Sequence, residues 1–584
     1  MTTKDSVTQN EKGTVTEFQA LSITLSNSNK VTVPTAQELY ELATEQLTVI
    51  KTDMDMPAIS NRELPEAKVL ANITGQDSRL SDWAVRVVPT RSELDDYAAQ
   101  AEREELLSIV REATHDLMHG DLHKTTAYFS HHSGFMGIIE MVAPIEYAKL
   151  SHDFSLAFHQ INDVSKKMYK RSKPLNEDAV RLVVFPEWVN EEWLYWKSGT
   201  AGQDNFEQIE PPRIMMIYDV ESNTAFLLGA RCFLEVKKAA ISIIGNMAVR
   251  QKLALPLNGA AQSFSVLQGS KMTQTNFAMI GLSGTGKSTI ASCTHEANIK
   301  SSKKEFVEAG GDDSLLMMVG NINGRKMGLM SLESAYFHTT GDVKAKSSVK
   351  TRILSAENVM VSRDEKDKKV LVYQNALDSE GRLLLKPNTE DGMINHLNLP
   401  DYFVMLTHDT LLPPVTLIKD TSLMKAMFLS YGTETEDGYR FEPAANPHTL
   451  WSLDEELALF EKAYVKTKFK MLIINTAGFY RTEKNSADIS KEISSGILLR
   501  IAKGEVKWKD WSSTMPGFFL PDKNSLKNLK KDYDSAYDPE KIKDKEKYQA
   551  RLRTRVGQRL TYLEQLGAAH SLLTPFYRIL SKLS

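Results

Sequence analysis

Apolar and polar residues follow two different rhythms in the first half of the chain. From residue 93 to residue 118 the apolar side chains recur at helical spacing, which predicts an amphipathic helix. Short apolar runs bounded by polar or proline-containing segments are typical of strands. Such runs occur at residues 126–129, 138–142, 180–185, 214–219 and 225–228. The mixture predicts an α/β domain on the N-terminal side.

The second half of the chain shows the same mixture. Residues 276–280 form a short apolar run that predicts a strand, and a glycine-rich turn and a helix-compatible stretch follow it directly. Further strands are predicted at 306–308, 328–332, 370–373, 403–406 and 471–475, and a helix at 453–464. The fold class predicted for the whole chain is therefore α/β.

Changes in the character of the sequence suggest three segments. Residues 1–35 are rich in Thr, Ser and Asn and only weakly periodic, so we expect a flexible lead-in. We predict an N-terminal α/β domain over 36–255 and a C-terminal nucleotide-binding domain over 256–584. An apolar stripe near the end of the chain predicts a docked amphipathic helix. The stripe consists of Tyr548, Leu552, Val556, Leu560 and Leu563.

The composition argues against several classes of function. Lysine plus arginine (71) nearly balances aspartate plus glutamate (75), and the net charge of -4 offers no polycationic surface for nucleic acid or an anionic membrane. The two cysteines, Cys232 and Cys293, are too few for a disulfide framework, so a reducing cytoplasm is expected. We expect no signal peptide and no membrane span, because no window reaches roughly 20 clean apolar residues. The oligomeric state is left open.

The glycine-rich turn carries the phosphate-binding pattern G-x-x-x-x-G-K-[ST] between an apolar strand and a helix-compatible stretch. We expect its residues to contact a nucleotide, together with the following Thr289. They are Gly281, Leu282, Ser283, Gly284, Thr285, Gly286, Lys287 and Ser288. In such a loop the backbone N–H groups cradle phosphate oxygens, Lys287 supplies charge for the β- and γ-phosphates, and Ser288 can ligate Mg²⁺. The pattern therefore predicts a site for a nucleoside triphosphate with Mg²⁺.

Phosphoryl transfer also needs a carboxylate on or near the metal. Asp312 and Asp313 follow two glycines and the apolar pair Phe306-Val307, at the point where a metal-binding strand would end. Two adjacent aspartates in a loop are elsewhere most often solvated turn residues. The phosphate-binding pattern upstream favours a metal role for this pair.

Several motifs in this order resemble the ATP-dependent phosphoenolpyruvate carboxykinases. The run GLSGTGKST followed by GGDD is similar to the family's phosphate-binding and metal-binding segments, and the resemblance covers roughly residues 70 to 580. Further matching blocks are CFLEVKK (232–238), Glu333, ENV (357–359), LT (406–407) with LPPV (412–415), and NT (475–476).

The resemblance implies a two-domain α/β fold with a P-loop in the C-terminal domain and the active site in the cleft between the domains. It implies the conversion of oxaloacetate and ATP to phosphoenolpyruvate, carbon dioxide and ADP, with Mg²⁺ and a second divalent ion, Mn²⁺. An enolate attacks the γ-phosphate in this reaction, so cations are needed beside both the enolate oxygen and the phosphates. The preference for ATP over GTP comes from the resemblance alone.

The resemblance also implies roles for individual residues. It assigns catalytic roles to Lys238, Lys287, Asp313 and Arg382. Lys238, next to Lys237, would be a ligand of the second metal, which requires a neutral amine. Nucleotide contacts are implied for Glu333 and for Lys484, or Asn485 beside it.

Three positions in the substrate half depart from the family's pattern. The family's metal-binding histidine falls on Phe264, which cannot ligate Mn²⁺. Its substrate-contacting tyrosine falls on Cys232, which lacks the phenolic donor, and its substrate-clamping arginine falls on Gln76. Arg79 and Arg91 are alternatives for that arginine. The nucleotide half thus matches the family better than the dicarboxylate half.

Three functions are compatible with these residues. One is a carboxykinase with an altered substrate pocket, and the second is a carboxykinase-fold kinase that acts on another small-molecule acceptor. The third is a regulator that binds a nucleotide without catalysis.

Overall fold

The computed structural model describes 24 stretches of the chain. They are residues 15–46, 49–52, 57–59, 84–89, 99–101, 103–129, 135–158, 179–188, 194–197, 206–209, 214–231, 233–282, 284–291, 305–311, 313–320, 328–339, 351–357, 359–375, 381–386, 396–435, 438–447, 449–483, 485–530 and 532–583. Helices and strands are interspersed throughout these stretches, which confirms the predicted α/β class.

The described residues contain twelve α-helices and 33 strands. The helices are α1 (Glu17–Ser26), α2 (Ala36–Glu45), α3 (Arg103–Leu117), α4 (Ala148–Ala157), α5 (Phe233–Arg250), α6 (Lys287–Ala291), α7 (Thr421–Leu429), α8 (Leu453–Thr467), α9 (Lys491–Ala502), α10 (Tyr533–Tyr537), α11 (Lys545–Gln565) and α12 (His570–Leu583). The strands are β1 (Val31–Thr32), β2 (Val49–Lys51), β3 (Pro57–Ile59), β4 (Ala84–Pro89), β5 (Ala99–Ala101), β6 (Leu122–Phe129), β7 (Gly137–Pro144), β8 (Val180–Phe185), β9 (Leu194–Lys197), β10 (Phe206–Ile209), β11 (Ile214–Asp219), β12 (Thr224–Leu228), β13 (Ala254–Leu257), β14 (Gly259–Gln268), β15 (Lys271–Ile280), β16 (Phe306–Ala309), β17 (Leu315–Met318), β18 (Gly328–Ser331), β19 (Tyr336–Thr339), β20 (Ile353–Glu357), β21 (Val359–Arg363), β22 (Lys369–Asn375), β23 (Arg382–Leu385), β24 (His396–Asn398), β25 (Tyr402–Thr407), β26 (Val415–Ile418), β27 (Gly432–Thr435), β28 (Gly438–Phe441), β29 (Lys470–Asn475), β30 (Gly478–Thr482), β31 (Asn485–Asp488), β32 (Trp508–Asp510) and β33 (Phe518–Pro521).

A ten-stranded mixed sheet contains most of the strands before α5, in the order β1-β6-β7-β8-β12-β11-β4-β5-β9-β10. The pairs β7–β8 and β8–β12 are parallel, whereas β6–β7 and β11–β12 are antiparallel. Helices α1 and α3 bury apolar side chains such as Phe18, Leu25 and Leu106 against β8, β11 and β12. Burial of these apolar faces is the main contribution to the stability of this layer.

An eight-stranded sheet positions the glycine-rich turn, and its order is β16-β14-β15-β25-β29-β26-β33-β32. Strands β15, β25 and β29 are parallel, with Ile280 opposite Met405 and Thr407 opposite Asn475. β25 and β29 are apolar and buried over nearly their whole length, as expected for parallel strands covered on both faces. Their carboxyl ends therefore meet at one edge, where ligands of such sheets usually bind.

Two smaller sheets contribute further residues to this edge of the molecule. The four-stranded sheet β13-β17-β18-β24 contains the strands next to Asp313 and Glu333, and the five-stranded sheet β19-β23-β20-β3-β2 contains Arg382. No helix among the described residues is long and apolar enough to cross a membrane.

Two expectations about local structure need correction. Within the predicted flexible lead-in, residues 17–26 form helix α1, capped by the Thr16 side chain, and Phe18 and Leu25 are fully buried. Two apolar residues seven positions apart provide enough of a face to dock a short helix, although the surrounding sequence is polar. The helix predicted from residue 93 begins at Arg103, and residues 99–101 form strand β5. The domain boundaries and the two-domain layout stay predictions.

Candidate active site

The glycine-rich loop joins the buried end of β15 to helix α6. Strand β15 ends at Ile280, and α6 begins at Lys287. Gly284 and Gly286 have φ angles of 86° and 88°, in the left-handed region that costs other residues about 1–2 kcal/mol. The two glycines therefore allow the chain to turn sharply at the end of the strand.

Hydrogen bonds fix the loop to the ends of neighbouring strands. Thr285 Oγ1 donates to the Leu282 carbonyl at 2.8 Å, and Thr476 Oγ1 donates to the Thr285 carbonyl at 2.9 Å. The Tyr431 hydroxyl accepts from the Leu282 N–H at 3.2 Å and donates to the Leu406 carbonyl at 2.7 Å. These contacts hold the backbone at Leu282 and Thr285 against the ends of the neighbouring strands.

Lys287 reaches back across this loop. Its side chain is 6% exposed, and Nζ donates to the Gly281 carbonyl at 2.7 Å. Its ammonium group is the positive charge that such loops direct toward phosphate oxygens. Ser288 and Thr289 follow on α6 and line the same cavity as Lys287.

A buried lysine joins two carboxylates next to the cavity. Lys237 Nζ lies 2.8 Å from Glu333 Oε1 and 3.1 Å from Asp313 Oδ2. The side chains of Lys237 and Glu333 are 0% and 1% exposed, whereas that of Asp313 is 32% exposed. Ser314 Oγ donates to Glu333 Oε2 at 2.7 Å. Asp313 is therefore the member of this cluster that a ligand can reach.

The charges of the cluster follow from its burial and its lysines. Burial, opposed by Lys237 and reinforced by Asp313, raises the pKa of Glu333 to about 7. Burial would also raise the pKa of Asp313, but Lys237, Lys287 and Lys238 outweigh it and hold that pKa well below its usual range. Burial lowers the pKa of Lys237, and its two carboxylates outweigh that effect and raise it. At neutral pH Asp313 is thus ionised and Lys237 is protonated.

Pairing between two antiparallel strands brings the two acids together. Leu315 of β17 lies opposite Ser331 of β18, so Asp313 before β17 and Glu333 after β18 lie at the same end of the sheet. Gly311 has a φ angle of 140°, and a Cβ there would lie 2.9 Å from Ser331 Cβ. Only glycine fits this close approach, which sets the path of the chain into Asp313.

One cavity of about 800 Å³ opens onto the loop and the acidic cluster, and its size suits a nucleotide-sized ligand. It brings together the predicted residues Leu282, Gly284, Thr285, Gly286, Lys287, Ser288, Thr289, Lys238, Asp313 and Arg382. Gly281 contributes the carbonyl that Lys287 contacts, and Glu333, which does not line the cavity, is paired with Lys237. Ser283, Asp312 and Lys484 lie outside the described residues.

Sequence reasoning missed another wall of this cavity. It is formed by His408, Thr433, Glu434, Thr435, Arg440, Asn446, Pro447 and Trp451. His408 directly follows β25, so the rule that ligands bind at the carboxyl ends of parallel strands could have found it. The residues from the hairpin β27–β28 and Trp451 carry no sequence motif, and only the tertiary structure brings them to the cavity.

The departure at Phe264 lies in the hydrophobic core. Phe264 is 0% exposed in β14, and its ring packs edge-on against Phe277 with the ring centroids 5.2 Å apart. It is not among the residues that line the cavity, so it supplies neither a metal ligand nor a substrate contact there. Gln76, Arg79, Arg91 and Cys232 lie outside the described residues.

The oxygen donors around the cavity suit Mg²⁺. They suit the second ion that the resemblance implies, Mn²⁺, less well. Mg²⁺ is typically held by one or two carboxylates together with phosphate oxygens, which the ionised Asp313 and the Ser288 hydroxyl can complement. For Mn²⁺ the resemblance implies a histidine at the position of Phe264, which is a core residue here. Within the described stretches, no three His, Cys, Asp or Glu side chains form a metal-binding group.

Comparison with known proteins gives one distant similarity to report. No protein-family model matches the chain. The chain is 23% identical over 332 residues to a phosphoenolpyruvate carboxykinase (ATP) from Aeropyrum pernix, and the match covers 54% of this chain and 64% of that enzyme. The chain thus spans slightly less than two thirds of the length of the relative. The similarity supports a distant relationship to the ATP-dependent carboxykinases.

Proposed function

We propose that this protein catalyses ATP- and Mg²⁺-dependent phosphoryl transfer. The observation that carries the proposal is the convergence of Lys287, Lys238 and Asp313 on one cavity beside the glycine-rich loop. Catalysis of phosphoryl transfer consists largely of positioning the phosphates and stabilising their charge. The cavity offers two lysines and an ionised carboxylate for these tasks.

Each group has a role that follows from its position. The loop N–H groups and Lys287 bind the β- and γ-phosphates, and Ser288 and Asp313 hold Mg²⁺, which neutralises phosphate charge when bound. Lys238 and Arg382 face the cavity from different parts of the fold and stabilise the charge on the transferred phosphoryl group. Lys237 holds the Asp313 carboxylate in place.

The first candidate acceptor is the enolate of oxaloacetate. Cleavage of the bond to the departing carboxylate releases carbon dioxide and leaves an enolate, whose oxygen attacks the γ-phosphorus to give phosphoenolpyruvate and ADP. The similarity to the carboxykinase from Aeropyrum pernix supports this reaction. Lys238 and Arg382 provide cations that can stabilise the enolate oxygen.

The second candidate is the phosphorylation of another small-molecule acceptor. The position of Phe264 in the core favours it, because the resemblance requires a metal ligand at that position. The phosphate-binding side of the cavity would be the same in both reactions.

The test is to supply ATP and Mg²⁺ with oxaloacetate and to measure phosphoenolpyruvate and ADP. We expect Lys287→Ala to lower turnover by about 10²–10³, the usual effect of removing one transition-state contact. Lys271→Ala is the matched control, because Lys271 is exposed at the other end of β15. Lys287-dependent phosphoenolpyruvate establishes the carboxykinase reaction, and Lys287-dependent ADP without phosphoenolpyruvate shows transfer to water and excludes oxaloacetate as the acceptor. Binding of ATP with no ADP formed from oxaloacetate, water or any other small-molecule acceptor supplied in turn would overturn phosphoryl transfer in favour of a regulator.

A further inference from the structure

A second cavity, of about 410 Å³, lies between helix α11 and the hairpin β27–β28. Its walls are Thr410, Leu411, Glu434, Tyr439, Ala550, Arg551, Thr554, Arg555 and Gln558. The sequence motifs drew attention to none of these residues. Its volume falls in the range of small-molecule sites.

The α11 side of the second cavity is polar and basic. Arg551 and Arg555 are four residues apart, so their side chains lie on the same face of the helix. Thr554 and Gln558 occupy the same face and add hydroxyl and amide donors. Guanidinium groups present paired N–H donors that match the oxygens of carboxylates and phosphates.

The two arginines of this cavity differ in their partners. Arg555 forms ion pairs with Asp409, at 3.1 Å, and with Glu434, at 3.0 Å. The Arg551 guanidinium lies over the Tyr480 ring, 5.2 Å from its centroid, and no carboxylate in the described part of the chain forms an ion pair with it. An anion in the cavity would therefore meet a cation that the neighbouring carboxylates do not neutralise.

Glu434 connects the second cavity with the cavity of about 800 Å³ beside the glycine-rich loop, here called the nucleotide cavity. Glu434 is among the residues that line both. It accepts from Thr410 Oγ1 at 2.9 Å and from Arg555 Nη2 at 3.0 Å. The same network includes Asp409, whose Oδ2 accepts from the Tyr439 hydroxyl at 3.0 Å. Asp409 directly follows His408 in the chain, and His408 lines the nucleotide cavity. A change in the partners of Arg555 thus reaches a wall of the nucleotide cavity.

We propose that the second cavity binds a small oxyanion, a phosphate or a carboxylate, and that its occupancy changes nucleotide affinity through Glu434. An anion held by Arg551 competes with Glu434 and Asp409 for the Arg555 guanidinium. The competition gives the Glu434 carboxylate a different set of partners in the occupied and empty states. Such a differential contact is what couples two sites, and the coupling acts equally in both directions.

Anion binding is tested by calorimetric titration of inorganic phosphate and, separately, of malonate. The titrations use Lys287→Ala protein, because that substitution weakens phosphate binding at the glycine-rich loop. We expect Arg551→Gln in this background to weaken binding about tenfold. Arg553→Gln is the control, because it removes the same charge from an exposed position of α11 outside the cavity. Preference for phosphate or for malonate identifies the kind of oxyanion.

Coupling is tested in the otherwise unmodified protein by measuring the affinity for a non-hydrolysable ATP analogue with and without saturating anion. Direct competition of the anion at the glycine-rich loop is the same in Arg551→Gln, so the difference between the two proteins reports the coupling, and we expect it to be about fivefold or more. The proposal is wrong if neither anion binds, if Arg551→Gln binds as tightly as Arg553→Gln, or if the anion changes nucleotide affinity equally in the unmodified protein and in Arg551→Gln. The coupling rests on the proposed nucleotide site, whereas the anion titrations do not, so a failure of nucleotide binding and a failure of anion binding are distinguishable.

Discussion

Two adjacent lysines of α5 have different environments. Lys237 is buried between Asp313 and Glu333, whereas Lys238 lines the nucleotide cavity. Lys237→Met leaves the buried Glu333 and the partly exposed Asp313 without their cation, so we expect the free energy of unfolding to fall by about 3–5 kcal/mol. Urea denaturation measures the loss.

Lys238→Met is the matched comparison. It removes a cation that faces the cavity, so we expect a loss of turnover with a change in the free energy of unfolding of about 1 kcal/mol or less. Equal destabilisation by the two substitutions would contradict the different positions of the two lysines.

Glu333 makes the stability of the protein depend on pH. Its pKa of about 7 in the folded state lies above the unfolded value of 4.5, so the folded state holds its proton over a wider pH range. This contribution is fully present below pH 4.5 and is lost as the pH rises through about 7. We expect the free energy of unfolding to fall further between pH 5 and pH 8 in the natural protein than in Glu333→Gln. The additional loss in the natural protein is up to about 3 kcal/mol.

Denaturation in urea at the two pH values measures this difference. Glu456→Gln is the reference for a buried glutamate outside the cluster. Burial also raises the pKa of Glu456, to about 8. A Glu333→Gln protein with the same pH dependence as the natural protein would show that Glu333 does not titrate in this range.

At the scale of elements, a glycine of the glycine-rich loop and a glycine of helix α11 differ in backbone conformation. A Cβ would meet open space at both Gly284 and Gly557, but only Gly284 has a positive φ angle, 86°. We expect Gly284→Ala to cost about 1–2 kcal/mol through backbone strain and to weaken ATP binding. Gly557→Ala should instead stabilise the protein by about 0.5–1 kcal/mol, because it lies inside a helix. Thermal unfolding and ATP titration of both variants distinguish these effects.

Helix α11 shows how far periodicity predicts an element. The five apolar residues of the predicted stripe are all buried, which confirms the docked helix. Arg559 is also buried on the inner side of the helix, where it donates to the Ser430 carbonyl and to the Tyr439 hydroxyl. Hydrophobic periodicity cannot anticipate a buried arginine, because its partners lie about 120 residues away in the sequence.

At the scale of the whole molecule, ligand binding and folding are linked. A ligand that binds only the folded state stabilises it, by about 2.7 kcal/mol at a concentration one hundred times its Kd. We expect ATP with Mg²⁺ to raise the free energy of unfolding by this amount and Lys287→Ala to remove the effect. Replacing ATP by GTP in the same measurement tests the base preference. No stabilisation by either nucleotide would contradict the proposed nucleotide site.

The arrangement of the sheets explains why distant segments form one site. The glycine-rich loop leaves the eight-stranded sheet, Asp313 and Glu333 lie at the end of the four-stranded sheet, and Arg382 begins a strand of the five-stranded sheet. Helix α5 contributes Lys237 and Lys238 to the same region. Each sheet thus supplies residues that the others lack.

The amino-acid sequence by itself determined the α/β class, the bounds of strands such as β8 and β11, and the segments for which we propose phosphate binding. These features depend on local periodicity and on short motifs, which are visible without knowledge of the fold. Only the tertiary structure decided that Lys237 bridges Asp313 and Glu333, that Phe264 is a core residue, and that Glu434 lines two cavities. These features depend on contacts between segments far apart in the chain, and burial and charge act there through distances that no local pattern encodes.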